Sequence, residues 1–298
     1  MQEYMRCYSA LTNLMLTNGG KHAILIGNPK IYGSVLSLII DIHAHIFPEK
    51  IAEKAAESIG EFYHYDMHGD GRVETLLRYG DEAGVDKFVV HSVAMTPFRV
   101  EQVNTFIASS VQAHPDRFIG FMSLHPAMAD PVDAIERAMD AGLMGVKLHP
   151  DMQRFETDSD MAMSMFEACA KYKLPVLLHA GDRRYHYSNP RQMLALKKRL
   201  PELTVIAAHY GGYSEWEESE ALLPGEGIYV DCSSAFFGLS REKAVELTRK
   251  FGSEWVLFGS DFPMWHAKGE LEKLRSLGLT EEEMENILHR NAERMLGL

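Results

Sequence analysis

From Leu38 onward, short apolar runs alternate with stretches whose apolar residues recur at three and four positions. The runs are Leu38–His43, Lys87–Val93, Arg117–Leu124, Gly145–His149, Pro175–His179, Leu203–His209, Gly227–Cys232 and Trp255–Ser260. They are rich in Val, Ile, Leu and Phe and carry little polar alternation, the pattern of parallel strands buried on both faces. Between them, Pro131–Ala141 sets Val132, Ile135 and Met139 on one face behind Asp130 as N-cap. Ser159–Tyr172, Pro190–Leu200 and Arg241–Phe251 repeat that helical pattern, and Pro131 and Pro190 suit a first helical turn. Thr280 and Glu283 form a capping box that opens a final helix running through Met295. Eight strands with helices between them predict an α/β fold of the closed (β/α)8 TIM-barrel type over residues 37–298, one domain.

Two segments depart from this rhythm. The first connection, from Phe47 to Gly71, is long and carries Tyr63, His64, Tyr65 and His68. It reads as a long loop, and a long loop at the C-terminal end of a barrel strand is expected to cover an active site. Residues 1–36 lack the barrel pattern and are expected to be an N-terminal extension. They read either as a hairpin across the barrel bottom, on the strength of Gly27-Asn28-Pro29 between Ala23 and Val35, or as a leader ahead of the functional start.

Composition narrows the partners. The chain has 298 residues, 46% of them hydrophobic and 24% charged, as in a globular protein. No apolar run approaches the roughly 20 residues of a membrane span, so no membrane partner is expected. A net charge of -12 argues against nucleic acid, and an acidic substrate would need a local basic pocket to overcome that field. Cys7, Cys169 and Cys232 lie far apart without a CxxC pair, which fits no disulfide framework and a reducing, cytoplasmic setting. A small-molecule substrate is the expected partner, and a homo-oligomer stays open.

The chemistry gathers where the runs end. Asp41-Ile42-His43-Ala44-His45 closes the first run, and side chains two apart in a strand point the same way, so His43 and His45 can grip one ion. His179 ends the fifth run, His209 the sixth, and Asp261 follows the eighth. All strand C-termini of a barrel converge on one mouth. Imidazoles and a carboxylate meeting there, with a coordination position open, describe a catalytic divalent-metal site.

That order, HxH on strand one, His on strands five and six and Asp on strand eight, resembles the amidohydrolase superfamily. The phrases GVKLHP, LLHAGD, AAHYGG and FGSDFP resemble its amidohydrolase-related branch, which includes the aminocarboxymuconate-semialdehyde decarboxylase-like enzymes. The resemblance spans Leu38 to Leu298. It implies that His43, His45, His179 and Asp261 bind a divalent metal, often zinc, and that His209 is a catalytic acid/base, or a second-metal ligand in binuclear relatives. Lys147 in Lys147-Leu148-His149-Pro150 resembles the fourth-strand lysine that binuclear members carboxylate to bridge two ions. His149 shares its face, and one ion with an unmodified Lys147 is the expectation here.

Lys147, His149, Asp182 and Arg183 are the expected substrate-binding residues. Asp182 follows His179 by three positions, and Arg183, Arg184, Tyr185 and Tyr187 crowd the same loop, where guanidinium forks suit an acidic substrate. His68, His91 and His125 are further candidates for the pocket lining, whereas Asp231 and Asn291 read as structural. A metal-activated water, with Asp261 taking its proton and His209 serving the substrate, implies hydrolysis of an amide, ester or lactone bond in a small carboxylate-bearing substrate. The alternatives are nonoxidative decarboxylation or hydration of an unsaturated or aromatic acid at the same site, and a noncatalytic metal- or ligand-binding barrel.

Overall fold

The computed structural model describes residues 38–298, so the two readings of residues 1–36 lie outside the described residues. Eight parallel strands follow in chain order: β1 (Ile40–His45), β2 (Lys87–His91), β3 (Phe118–Ser123), β4 (Gly145–Leu148), β5 (Val176–Leu178), β6 (Val205–Ala207), β7 (Tyr229–Asp231) and β8 (Val256–Leu257). Closure between the last strand and the first runs through separate hydrogen bonds. Ile42 N–H donates to Phe258 O at 2.9 Å, Asp261 N–H to His43 O at 2.8 Å and His45 N–H to Phe262 O at 2.7 Å.

Helices α1 (Glu49–Tyr63) and α2 (Val73–Ala83) follow β1, α3 (Val100–Ala113) follows β2 and α4 (Pro131–Asp140) follows β3. Then come α5 (Pro150–Gln153) and α6 (Asp160–Lys171) after β4, α7 (Pro190–Arg199) after β5, α8 (Trp216–Leu222) after β6 and α9 (Arg241–Phe251) after β7. After β8 stand α10 (Ala267–Ser276), α11 (Glu281–Glu285) and α12 (Asn291–Leu296), the last two joined by a π turn over Asn286–Arg290. Asp130 caps α4 through Asp133 N–H, and Thr280 and Glu283 form their capping box. None of the described helices is long and apolar enough to cross a membrane.

The barrel floor is hydrocarbon. Ile40, Ile119, Phe121, Leu177 and Ile206 are buried inside the ring of strands, and a second apolar layer lies between strands and helices. Gly145 is required there, because a Cβ at that position would stand 2.5 Å from the Phe121 ring. Burying side chains of this size contributes about 1.5–3 kcal/mol each.

Two expectations need correction. The first connection is not an open loop, since most of it is helix α1, whose end carries Phe62 and Tyr63. The later strands are also shorter than their apolar runs. β5, β6 and β8 stop at Leu178, Ala207 and Leu257, so His179, His209 and Asp261 lie in the turns beyond them. There the chain leaves extended geometry: His209 and Asp261 both adopt left-handed backbone, at φ 61° and 59°.

Candidate metal centre

Left-handed backbone at a non-glycine residue costs roughly 1–2 kcal/mol, so something must hold it. For His209 the holders are its N–H bonded to Asp231 Oδ1 at 3.1 Å and its carbonyl bonded by Trp216 Nε1 at 3.0 Å. For Asp261 the holder is the closure bond to His43 O. Two glycines allow the strand ends to close up. A Cβ at Gly181 would stand 2.3 Å from Gly212 Cα, so the turn after β5 can press on the turn after β6 and bring His179 to His209. A Cβ at Gly259 would stand 2.9 Å from His43 Cβ.

His43 is oriented from behind. Its Nδ1–H donates to Asp231 Oδ2 at 2.9 Å, which leaves Nε2 as a lone pair directed into the mouth. Around that lone pair stand His45 Nε2 at 3.3 Å, Asp261 Oδ1 at 3.3 Å and Lys147 Nζ at 2.8 Å. His45 Nε2 and Asp261 Oδ1 are 3.5 Å apart. Atoms bound to one tetrahedral ion at about 2.0–2.2 Å stand about 3.3–3.5 Å from one another, so these three already trace one face of such a site. The residues therefore fit a divalent ion.

A second group lies beside the first. His179 Nδ1 is 3.0 Å from His209 Nε2 and 3.4 Å from Tyr63 Oη, and the Tyr63 hydroxyl is 2.7 Å from His149 Nε2. His209 Nδ1–H donates to Ser233 O at 2.9 Å, which leaves Nε2 as the lone pair that faces His179 Nδ1 on the cavity side. The other ring nitrogen of His179 is buried without a hydrogen-bond partner among the described residues, 3.6 Å from Asp151 Oδ2. Ligand-type atoms gather within 4.8 Å of one another in two sets, His43 with His45 and His91, and His43 with His209 and Asp261. His179 is in neither set.

The charges are set by burial. Burial lowers Lys147 to about 8, against the pull of Asp261 and Asp231. It lowers His45 and His209 to about 4, so both are neutral at pH 7 in the metal-free protein. Burial also pushes the Asp261 carboxyl up, but the imidazoles around it, His43 first and then the hydrogen bond of His45, outweigh it and hold Asp261 well below the carboxylate range. Asp231 follows the same balance, with burial outweighed by His43, and comes down to about 2. A metal site needs this combination of neutral imidazoles and ionised carboxylate.

Above these groups opens a cavity of about 390 Å³. Lys147 lines it from β4, His149, His179, His209 and Asp261 line it from just beyond the strand ends, and Phe62 and Tyr63 close it from α1. Phe47, Ile59, Val93, Met95 and Met264 make much of the wall apolar, and Arg154 lines it with its backbone in the left-handed region.

Not every expected residue reaches this cavity. Asp182 is buried under Arg184, whose Nη2 donates to Asp182 Oδ2 at 2.6 Å. Arg183 turns its guanidinium to the Ser214 carbonyl, with Nε at 3.0 Å. Neither lines the cavity, nor do His68, His91 and His125. Arg184, one residue on, also donates through Nη1 to Phe62 O at 2.6 Å and lies over the rings of Phe62, Tyr63 and Tyr185. It clamps the end of α1 over the mouth. Asn291 is structural as expected, donating to Ser253 O and Val256 O. Asp231 does more than the structural reading assigned, since it touches His43 directly. Its place at the end of β7 was the available signal.

The amidohydrolase family model matches residues 40–298. A search of curated proteins finds no significant match. Among solved structures, an uncharacterised TIM-barrel protein from Bordetella bronchiseptica superposes with TM-score 0.72 at 20% identity, covering 87% of this chain and 98% of its own. A dihydroxybenzoic acid decarboxylase from Polaromonas, solved with manganese and 2-nitroresorcinol, gives 0.68 at 16% identity, with 88% and 97% covered. A probable 2-pyrone-4,6-dicarboxylic acid hydrolase from Acinetobacter baumannii, with citric acid bound, gives 0.64 at 17% identity, with 87% and 99% covered. At these identities the likeness concerns the fold.

Proposed function

The chain belongs to the amidohydrolase family, and on that premise we propose that it is a metal-dependent hydrolase of an amide, ester or lactone bond in a small carboxylate-bearing molecule. The observation that carries this reading is the triangle of His43 Nε2, His45 Nε2 and Asp261 Oδ1 at the foot of the cavity. His43, His45, His179 and Asp261 would hold one divalent ion, zinc in the first instance. Such an ion supplies Lewis acidity and brings the pKa of water to about 7.

The chain's own groups do the rest. His209, neutral and with its Nδ1–H fixed on Ser233 O, offers Nε2 to take a proton and return it to the leaving group. Asp261, held ionised, is the second proton acceptor. Lys147 now donates to the His43 lone pair. Once coordination takes up that lone pair, the ammonium is left to face substrate oxygens. His149 would bind substrate together with the Tyr63 hydroxyl, and Arg154 adds a positive charge at the cavity. Asp182 and Arg183 are not part of this proposal, because both are engaged elsewhere.

A second reading keeps the site and changes the reaction to nonoxidative decarboxylation. The apolar wall of Phe47, Ile59, Phe62 and Met264 favours it, since it suits an aromatic or unsaturated acid. The Polaromonas relative is by name a decarboxylase of such an acid and holds manganese, which supports this reading and keeps a metal other than zinc open.

Incubating the metal-loaded chain with lactones, amides and unsaturated aromatic carboxylates, and following acid and carbon dioxide together, separates the two. Hydrolysis is expected to release acid without carbon dioxide. Carbon dioxide released without a second acid would replace the first reading with the second. No turnover of any class by fully metal-loaded protein would contradict both and favour a noncatalytic barrel.

A further inference from the structure

We infer that His91 is an additional ligand of the ion assigned above to His43 and His45. The inference rests on that reading of the mouth and adds a residue from β2, a strand that supplies no ligand in it. His91 ends β2 directly opposite His45 in the strand register. Its side chain is wholly buried, and neither ring nitrogen has a hydrogen-bond partner among the described residues. A neutral imidazole carries one N–H and one lone pair, and leaving such groups unmet in the interior costs about 1–3 kcal/mol each. Phe121 and Leu177, on β3 and β5, fill the same barrel with hydrocarbon at no such cost. An imidazole at this depth calls for a partner.

The geometry says which partner suits it. The His91 ring stands edge-on to His45, with centroids 4.4 Å apart and planes at 88°, and 5.2 Å from the His43 ring. One of its nitrogens lies within 4.8 Å of a nitrogen on each of those two residues. Neighbouring ligands on one ion at about 2.1 Å stand about 3.0–3.4 Å apart, so a side-chain shift of no more than about 2 Å closes the set. His43 Nδ1 is occupied by Asp231, so a single ion at His43 Nε2 is the arrangement that serves all three rings. An ion held by His43, His45, His91, His179 and Asp261 is one with more ligands than a tetrahedral site takes. Such a site suits a metal tolerant of five or six ligands, such as manganese, better than a strictly four-coordinate one.

Chelator-competition titrations of Zn(II) and, separately, Mn(II) into the metal-depleted full chain test this, comparing wild type, His91→Phe, His91→Gln and His43→Ala. Both His91 variants are expected to bind the ion at least about tenfold more weakly. Metal-free His91→Phe is expected to melt at or above the wild-type temperature, because the unmet polar groups are gone. Unchanged affinity in either folded His91 variant would overturn the inference and make His91 a core residue that holds a water. Should neither variant fold, pulsed EPR of the Mn(II)-loaded wild type decides: four coupled imidazole nitrogens support the inference and three overturn it. His43→Ala keeps the two failures apart. Undiminished affinity there would sink the reading of the mouth itself, whereas weak binding there beside normal His91 variants would sink only the role of His91.

Discussion

Ile40, Ile119, Phe121, Leu177 and Ile206 fill the floor of the barrel with hydrocarbon, whereas the C-terminal ends of the strands surround six buried imidazoles, one ammonium and several carboxylates, Asp151, Asp231 and Asp261 among them. Both regions are closed to solvent and hang on the same eight strands, so burial alone does not distinguish them. What distinguishes them is satisfaction. The floor has no polar group to satisfy, while at the mouth His91 and one nitrogen of His179 lack partners among the described residues, and Arg154, His209 and Asp261 are among the non-glycine residues that hold left-handed backbone. The floor carries the stability that lets the mouth keep groups unpaired, as expected where a site is built for a ligand that supplies the missing contacts.

That contrast can be broken at either end. The largest effect is expected for His43→Ala, which should abolish tight metal binding and turnover. The metal-free variant should lose about 1–3 kcal/mol against metal-free wild type, since the change leaves the buried Asp231 Oδ2 without its His43 partner. Metal analysis and calorimetry read the two halves of that statement. Phe121→Ala should do the reverse, losing about 3–5 kcal/mol in urea unfolding while the folded fraction keeps its metal affinity.

Acid separates the regions next. Burial holds His45 and His209 at about 4 in the folded, metal-free protein, below the ordinary histidine value near 6.5. Between those two limits the unfolded chain binds protons that the folded chain does not, so stability should fall as pH drops from about 6.5 to about 4. His209→Asn should make the slope of urea midpoint against pH shallower, whereas Phe121→Ala should lower the curve without changing its slope. The smallest effect is expected for Arg184→Lys, which gives up the paired contacts to Asp182 and Phe62 O. Faster amide exchange at the end of α1 and a rise in KM of up to about tenfold, with metal content intact, would mark the clamp. Unchanged exchange would show that α1 holds itself.

The barrel and most of its mouth were legible in the sequence, because buried parallel strands leave uninterrupted apolar runs and barrel closure gathers whatever follows them. His43, His45, Lys147, His149, His179, His209 and Asp261 meet for that reason alone. What the pattern could not carry was geometry set by contacts distant along the chain. The Asp231 bond to His43 spans 188 positions, and the choice between Arg183 and Arg184 turns on which one finds Asp182 and Phe62 O. Turns defeat periodicity as well: His209 and Asp261 lie beyond their strands in left-handed backbone, which apolar runs do not encode. Helix α1 is hidden because a long connection after β1 points to a loop more strongly than the helical spacing within Glu49–Tyr63 points to a helix.

The most direct test of the central claim, that this mouth is a single-ion site with a separate acid/base, is the metal content of His209→Asn measured beside His179→Ala and wild type. The account predicts one ion per chain in wild type with Lys147 unmodified by mass, one retained ion but little turnover in His209→Asn, and a sharp loss of metal in His179→Ala. Two ions in wild type with a carbamate on Lys147, or equal loss of metal in the two variants, would contradict it and make His209 a ligand.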